Sequence, residues 1–325
     1  MPPATPPAAR IARRDEERGL RTRAYLLMLT VVAVWGATFV VVKDALADAS
    51  PLAFNLTRMT LAFAVLAVAY HGHWRSIGRR ELAAGAVIGF FLAMGYQFQT
   101  AGLARTTPSK SALITGLVVV LVPLFSSLRA LRPAGGHAPG WNAYTGAVLA
   151  FAGILLLTVP SSRGGAFDFS SVNLGDLLSL GCAIGFAFHC LALGHLSPRF
   201  DFQQLALLQI GFCAVFMAIS MPLLEHPYLH LTARLCAALL VAALLATAAA
   251  FSIQSWVQSV LPATHTALIL TMEPVFAVLT AILFYGERLS GRSAAGAALV
   301  MAGIALTELV TAAPASGAHE ASSSS

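Results

Sequence analysis

The sequence predicts an all-α integral membrane protein with ten transmembrane helices, arranged as two inverted five-helix repeats. Composition is the first reason, because 58% of the residues are hydrophobic and only 10% are charged, whereas soluble domains carry about 25% charged residues. The second reason is a series of apolar segments of roughly 20 residues, the length that a helix needs to cross a hydrocarbon core of about 30 Å. The third is an internal duplication. The alternating pattern of a transmembrane barrel is absent.

Ten candidate spans follow one another between two polar tails. Residues 1–23 and 311–325 are predicted to be disordered and cytoplasmic, because they are rich in Pro, Ala, Arg or Ser and poor in large apolar residues. The first five-helix repeat is predicted at 24–159 and the second at 174–310. The ten spans are predicted at 24–43, 51–70, 82–102, 108–128, 141–159, 174–194, 202–224, 234–257, 262–284 and 291–310.

The duplication is clearest at the end of each half. Residues 146–154 read GAVLAFAGI, and residues 296–304 read GAALVMAGI. Gln99 precedes an Ala-Leu-Ile triplet by the same spacing as Gln254 does in the second half. Because five is an odd number of spans, the second copy is expected to enter the membrane upside down. Inverted repeats of this kind are typical of carriers whose substrate site lies between the two halves.

Positive charge is concentrated in the N-terminal tail. Six arginines lie within the first 23 residues, and no aromatic or Gly-rich binding pattern accompanies them, so we do not expect nucleic acid as a partner. With the N-terminus inside, twelve Lys and Arg fall in inner segments and seven in outer loops. The positive-inside rule therefore predicts a multi-pass protein of the plasma (inner) membrane with both termini in the cytoplasm.

Patterns for metals, cofactors, ATP and hydrolysis are absent from the sequence. The four cysteines, Cys182, Cys190, Cys213 and Cys236, lack metal-ligand spacing and are interpreted as packing residues. No metal or cofactor is expected. Walker A, HExxH and GxSxG motifs are missing, which argues against an ATP-driven pump or an intramembrane enzyme. The first apolar run lacks a convincing cleavage site, so no signal peptide is expected.

Few ionisable residues lie within the predicted spans, and Arg58 in the second span and Glu273 in the ninth are two of them. A charge inside a membrane is costly and is therefore a functional candidate. Arg58 is expected either to bind an anionic substrate group or to form a fixed internal ion pair. Glu273 is expected to bind a cationic group or a coupling proton, or else to satisfy a broken helical turn or pair with Arg58. Pro123 and Pro274 are the predicted helix breaks.

Four glutamines form a polar set in the third and eighth spans: Gln97, Gln99, Gln254 and Gln258. Gln99 and Gln254 are equivalent in the two repeats, so a pseudo-two-fold axis would place them on equivalent walls of one cavity. Amides both donate and accept hydrogen bonds, which suits zwitterionic or uncharged substrates. The alternative is that they are hydrogen-bonding contacts between helices, each contributing about 0.6 kcal/mol.

Two tryptophans and two other polar residues complete the predicted substrate pathway. Trp35 and Trp256 are expected either to stack on a substrate or to pack at a helix interface. His189 is a candidate proton relay, with a satisfied packing histidine as the alternative. Asn55 is a further candidate in the second span.

Charged residues near the ends of spans are given no special role. Lys110 and His265 occupy equivalent repeat positions, and snorkelling towards the headgroups accounts for both. Asp176 and Glu308 also lie near the ends of spans and are given no special role.

Several motifs along the chain match those of a known family. They are WGATF at 35–39, Arg58, TGLVVVLVP at 115–123, ALI at 267–269 with EPVFA at 273–277, and GERL at 286–289. Through these motifs the sequence resembles the EamA-like branch of the drug/metabolite transporter superfamily over about residues 24–310. The resemblance implies a ten-helix carrier with two five-helix repeats around a central cavity, whose relatives move small metabolites, including amino acids, and often export them. The chain departs from exact duplication, because the second repeat has an acidic Glu287 beside Arg288 that the first repeat lacks.

The functional hypothesis is a secondary transporter, an exporter or exchanger, that carries small organic metabolites such as amino acids by alternating access between the repeats. Its expected partners are the lipid bilayer and a small-molecule substrate, with a proton as the candidate coupling ion. The alternative is an intramembrane enzyme or a channel-like protein. Saturable counterflow would favour a carrier, non-saturating flux a channel, and product formation without flux an enzyme.

Overall fold

The computed structural model describes residues 7–132, 140–159, 172–261 and 269–309. These residues form helices and no strand; the β-type contact among them is an isolated bridge between Ala49 and Leu229. The prediction of an all-helical chain is confirmed. The helices are α1 (Pro7–Ala45), α2 (Pro51–Ala69), α3 (Arg79–Leu103), α4 (Pro108–Thr115), α5 (Val118–Ser126), α6 (Trp141–Thr158), α7 (Leu174–Leu196), α8 (Phe202–Leu224), α9 (Ala233–Leu240), a π-helical segment (Val241–Ala249), α10 (Ala250–Val260), α11 (Glu273–Tyr285) and α12 (Gly291–Leu309).

The lengths of the helices differ from the ten full spans that were predicted. Within the described residues, seven helices are long and apolar enough to cross a bilayer. Three apolar helices are shorter, namely Trp141–Leu157, Glu273–Tyr285 and Gly291–Leu306. A helix of 17 residues rises only about 26 Å, slightly less than the thickness of a hydrocarbon core. The predicted span 262–284 contains a turn at residues 271–272, directly before Glu273, and its residues 262–268 lie outside the described part of the chain.

The N-terminal tail is helical where the structure describes it. Residues 7–23 were predicted to be disordered, but they form the first turns of α1 and run without a break into the apolar part of that helix. Ala, Arg and Glu all have high helix propensity, and charges of opposite sign three or four residues apart support a helix. Residues 1–6 and 310–325 are not among the described residues, so the predicted C-terminal tail at 311–325 lies outside them.

The duplicated glycine motif is the place where α6 and α12 meet. A Cβ atom on Gly153 would lie 2.6 Å from the carbonyl oxygen of Gly296, and one on Gly303 would lie 2.5 Å from that of Gly146. Only a residue without a side chain permits such an approach of two backbones. Because residue 146 is near the start of α6 and residue 303 near the end of α12, the two helices run antiparallel.

A second pair of equivalent helices, α2 and α8, is antiparallel as well. Glu225, directly after α8, accepts a hydrogen bond from the backbone N–H of Leu52 at the start of α2. At the other end, Gln204 in the first turn of α8 donates to the carbonyl of His73, just beyond α2. Antiparallel pairing of equivalent helices is the relationship that a two-fold axis parallel to the membrane plane produces.

The fourth span of the first repeat is broken, though not at the predicted position. α5 continues through Pro123, and the break lies between α4 and α5, at Gly116 and Leu117. Pro274 stands in the first turn of α11, where a missing N–H removes no helical hydrogen bond. A Cβ atom on Gly116 would lie 2.6 Å from Cγ of Pro274, so the break in one repeat packs against the helix start of the other.

Candidate functional site

A central cavity lies between helices of both repeats. Its volume is about 820 Å³, which includes space open to solvent. The lining comes from α1, α2, α3, α7, α10 and the region of the two helix breaks. The predicted pathway residues that line it are Trp35, Arg58, Gln99, His189, Gln254 and Glu273.

Arg58 is buried in the wall of this cavity and is held by neutral groups. Its Nε donates to the hydroxyl of Thr247 at 2.6 Å, and its Nη2 donates to the hydroxyl of Tyr96 at 3.1 Å and to the carbonyl of Ala246 at 3.2 Å. The guanidinium carbon lies 4.5 Å from the centre of the Tyr96 ring, a cation–π arrangement. No carboxylate pairs with Arg58 in the described part of the chain, and its Nη1 makes no hydrogen bond there. The positive charge is therefore available to a ligand.

The π-helical segment Val241–Ala249 supplies the acceptors that hold Arg58. The carbonyl oxygen of Ala246 accepts from the Trp35 indole at 2.8 Å as well as from Arg58. The Thr247 hydroxyl that accepts from Arg58 itself donates to the carbonyl of Ala242 at 2.8 Å. This π-helical segment of the second repeat thus positions two side chains of the first repeat, Trp35 and Arg58. Short π-helical segments often occur at functional sites.

Glu273 provides a carboxylate in the same cavity. It is the first residue of α11 and is half-buried, and its side chain has no hydrogen-bond or ion-pair partner among the described residues. The N-terminus of a helix carries a partial positive charge, which favours an anion in the first turn. The cavity consequently contains an uncommitted carboxylate and a cation that do not neutralise each other directly.

Gln254 adds an unsatisfied acceptor to the cavity wall. The residue is 2% exposed, and its Oε1 atom is buried without a hydrogen-bond partner. Gln99, its counterpart in the first repeat, lines the same cavity from α3 and is half-buried. A buried acceptor without a partner costs about 1–3 kcal/mol, so a ligand that donates to it would recover this energy.

His189 connects the cavity to a short chain of polar side chains. Its Nε2 lies 2.9 Å from Oε1 of Gln209, and Nε2 of Gln209 donates to Oγ of Ser255 at 3.4 Å. An amide oxygen only accepts, which places a proton on Nε2 of the imidazole. Gln209 was not among the predicted pathway residues, although it is a polar residue within the apolar segment 202–224 and so satisfies the criterion that selected the other glutamines.

The remaining predicted pathway residues do not line the central cavity. Asn55 is fully buried, donating to the carbonyl of Tyr96 at 2.9 Å and accepting from the Thr100 hydroxyl at 3.0 Å, so it joins α2 to α3. Gln97 donates to Oγ of Ser220 at 2.7 Å and faces a separate groove. Trp256 packs against an apolar cluster, and Oε1 of Gln258 is buried and unpartnered outside the cavity.

Polar contacts join the repeats at one end of the bundle. Asp48, just beyond α1, accepts from Thr232 at 2.6 Å and from Nε and Nη2 of Arg234 at 3.0 and 2.8 Å. We call Asp48, Thr232 and Arg234 the latch, and the end of the bundle that contains them the latch end. The hydrogen bond from Thr232 and then that from Arg234 hold the pKa of the Asp48 carboxyl below its usual 3.8. A backbone hydrogen bond of 2.8 Å from His230 to Asp48 supports the same contact.

Charged side chains also satisfy helix termini at the latch end. Lys43 donates to three carbonyls at the end of α3, at 2.8–3.1 Å. Glu287 accepts from the hydroxyl of Thr107 and the N–H of Ser109 at the start of α4. These contacts provide partners for the backbone groups that helix ends leave unpaired. Glu287 therefore has a structural role that joins the second repeat to the first.

The prediction that Lys110 only reaches towards headgroups was wrong. Its Nζ lies 2.6 Å from Oδ2 of Asp176, whose side chain is fully buried, and the hydroxyl of Thr106 donates to the other oxygen at 2.6 Å. The two residues are 66 positions apart, so no local pattern indicated the pair. His265 lies outside the described residues. No cluster of three or more His, Cys, Asp or Glu suited to a metal occurs where the structure describes the chain.

Comparison with known proteins places both halves of the chain in one family. The profile of the EamA-like transporter family matches residues 22–159 and again residues 173–309. An uncharacterized transporter of Archaeoglobus fulgidus is 30% identical over 298 residues, 89% of this chain and 87% of the relative. The uncharacterized transporter YcxC of Bacillus subtilis is 27% identical over 207 residues, 62% of this chain and 63% of the relative.

The fold is also similar to that of a solved structure. A crystal structure described only as that of a protein superposes with a TM-score of 0.62 and 21% sequence identity. The match covers 89% of this chain and 97% of the other. At this level of identity the similarity concerns the fold.

Proposed function

This chain belongs to the EamA-like transporter family, and from that premise we propose that it carries small organic metabolites, such as amino acids, across the membrane by alternating access. It is a multi-pass membrane protein with transporter relatives. We propose that the shorter helices complete a set of ten spans in two inverted repeats. The antiparallel pairing of α6 with α12 and of α2 with α8 supports this arrangement.

The observation that carries the proposal is the presence of Arg58 and Glu273 in one cavity without an ion pair between them. An uncompensated charge in a membrane-spanning protein is costly and marks a substrate or ion pathway. In our proposal Arg58 binds a substrate carboxylate and Glu273 binds an ammonium group or the coupling proton. Gln254 and Gln99 complete the site with amide groups that recognise polar substituents.

The latch is proposed as the gate on one side of the membrane. Alternating access requires contacts that close one side and separate when the other side closes. The latch joins the α1–α2 connection of the first repeat to the α8–α9 connection of the second, which fits this role. With both termini cytoplasmic in the plasma (inner) membrane, the latch end faces away from the cytoplasm. The conformation described here would then be closed to the outside.

Counterflow in sealed vesicles tests the proposed function. Purified full-length chain is reconstituted, loaded with unlabelled amino acid, and diluted into a trace of the labelled compound. Saturable accumulation is the expected result, and imposing a pH gradient tests the coupling proton. Flux that does not saturate would indicate a channel, and product formation without accumulation would indicate an enzyme.

Substitutions in the cavity test where the substrate binds. Arg58→Ala and Glu273→Gln should each abolish counterflow while the protein still inserts and elutes as the parent does. Arg75→Ala, in the exposed segment after α2, is the matched control and should transport normally. Normal transport by both cavity variants would remove these residues from the substrate pathway.

A further inference from the structure

A second groove, separate from the central cavity, lies between α3, α7 and α8. It encloses about 1240 Å³, including space open to its surroundings, and its walls are mostly apolar. Phe90, Phe98 and Ile219 line it and are exposed by 48%, 38% and 61%. Side chains of this kind within membrane-spanning helices are suited to contact hydrocarbon chains. In the middle of the wall, Gln97 donates to Ser220 at 2.7 Å, so its amide is engaged within the protein.

The groove has a charged mouth at the latch end. Arg105 lies two residues beyond the end of α3 and is exposed; its Nη1 donates to the carbonyl of Ala101 at 2.8 Å. Its Nε and Nη2 have no hydrogen-bond partner in the described part of the chain, and both are donors. Glu225 follows the last residue of α8 and lines the same groove. Its carboxylate accepts from the N–H groups of Leu52 and Ala53 and retains further lone pairs.

We propose that this groove binds a phospholipid with a zwitterionic headgroup. The phosphate would contact Arg105, the ammonium group would lie towards Glu225, and one acyl chain would follow Phe98 and Ile219. Arg105 and Glu225 stand directly at the ends of spanning helices, the level at which headgroups lie, while the apolar walls extend into the hydrocarbon region. The opposite charges at the mouth match the two charges of phosphatidylethanolamine, whereas a phosphatidylglycerol headgroup has only the negative one.

This site is distinct from the proposed transport cavity and does not depend on the transport function. The residues of the groove mouth do not line the cavity around Arg58. A lipid in the groove would instead bridge α3 of the first repeat and α8 of the second. Binding can therefore be measured without any transport assay.

Native mass spectrometry of the full chain, purified in detergent, tests the proposal. The protein is titrated with dioleoyl-phosphatidylethanolamine or dioleoyl-phosphatidylglycerol, and the first lipid adduct is quantified. We expect phosphatidylethanolamine to bind more tightly, and Arg105→Gln to weaken its binding about tenfold, because a charge-assisted contact is lost. Arg79→Gln, at the opposite end of α3, is the matched control and should leave the adduct unchanged.

Two further variants distinguish the contribution of the lipid headgroup to binding from that of the acyl chain. Glu225→Gln retains an acceptor for α2 and should remove the preference for phosphatidylethanolamine over phosphatidylglycerol. Ala101→Trp narrows the groove and should reduce binding of both lipids. Equal affinity of the parent for the two lipids, or undiminished binding by Arg105→Gln, would overturn the proposal. Conversion of a parent dimer to a monomer by Ala101→Trp would also overturn it, since a second copy of the chain would then occupy the groove.

Discussion

The Nε atom of Arg58 donates to the hydroxyl of Thr247 at 2.6 Å, a contact between the second span of one repeat and the π-helical segment of the other. With Tyr96 and Ala246 as its other partners, the guanidinium is held by neutral groups alone within the described part of the chain. Hydrogen bonds to neutral acceptors orient a charge without cancelling it. The arrangement fixes the direction in which Arg58 presents its remaining donors to the cavity.

Replacing Thr247 tests this orienting role. Thr247→Val removes the acceptor and leaves a buried charged donor unpaired, so we expect the KM of counterflow to rise about tenfold, given about 1.5–3 kcal/mol for a hydrogen bond to a charged group. Thr247→Ser restores the hydroxyl and should restore the KM. Thr280→Val is the control, because among the described residues that hydroxyl donates to carbonyls of its own helix and to no other group. An unchanged KM in Thr247→Val would contradict the role.

Glu273→Gln should separate function from stability. The carboxylate has no partner among the described residues, so its neutralisation should change the melting temperature by no more than a few degrees while counterflow is lost. The control is Glu81→Gln in the first turn of α3, where glutamine can still accept the hydrogen bond from the N–H of Gly78. This variant should keep both its melting temperature and its counterflow. A large drop in melting temperature with transport intact would instead assign Glu273 a structural role.

Gln254→Leu should weaken substrate binding without destabilising the protein. The Oε1 atom of Gln254 is already buried without a partner, so an apolar side chain of similar size removes an unfavourable group. Gln97→Leu is the informative comparison, because it breaks a hydrogen bond to Ser220 outside the cavity. Gln254→Leu should therefore leave the melting temperature unchanged but reduce the rise in melting temperature that substrate causes. Gln97→Leu should lower the melting temperature and leave that rise unchanged.

The latch should respond to substitution and to acid. Asp48→Asn and Arg234→Gln should each increase the rate at which a reagent applied from the latch end labels a cysteine placed in the cavity. The double variant should be labelled little faster than either single variant, because both substitutions break the same contact. The Asp48 pKa is lowered in the latched state, so the contact is fully formed at neutral pH and weakens as the pH falls through that lowered pKa. Labelling should be constant from about pH 8 to about pH 5 and rise only below about pH 4. A rise centred near neutral pH would contradict the assignment to Asp48.

The contact between α6 and α12 predicts that replacing glycine by alanine destabilises the protein at one position of α12 and not at another. Gly303→Ala places a methyl group 2.5 Å from the carbonyl oxygen of Gly146, and overpacking of this kind costs about 1–3 kcal/mol. Gly291→Ala, at the start of α12, meets nothing within 4 Å. Thermal unfolding in detergent should show destabilisation for the first variant only. Equal melting temperatures would argue against the close contact.

Hydrophobic length, duplication and charge in the sequence predicted several features that the structure contains. The predicted segment 202–224 coincides with α8, and the duplicated motif marks the contact between α6 and α12. Arg58 and Glu273 were selected because buried charge is costly, and both line the cavity. These features depend on local composition, which a single sequence records directly.

The features that were not predicted depend on the direction in which a side chain faces around its helix, or on contacts between residues that are distant in the sequence. Gln97 and Gln99 are two residues apart, about 200° around a helix, so they cannot both face one cavity. Lys110 and Asp176 are brought together only by tertiary packing. The Ala- and Leu-rich sequence of the π-helical segment contains no Pro or Gly that would indicate its widened turn.

The backbone contact between α6 and α12 has a practical consequence for measuring movement. Their main packing partners besides each other are α4 and α5, so the pair stands apart from the latch and from most of the cavity wall. Two helices whose main chains touch have little freedom to slide. A spin label or dye attached to α6 or α12 should therefore serve as a fixed reference point, against which displacements of α1 and α9 during a transport cycle can be recorded.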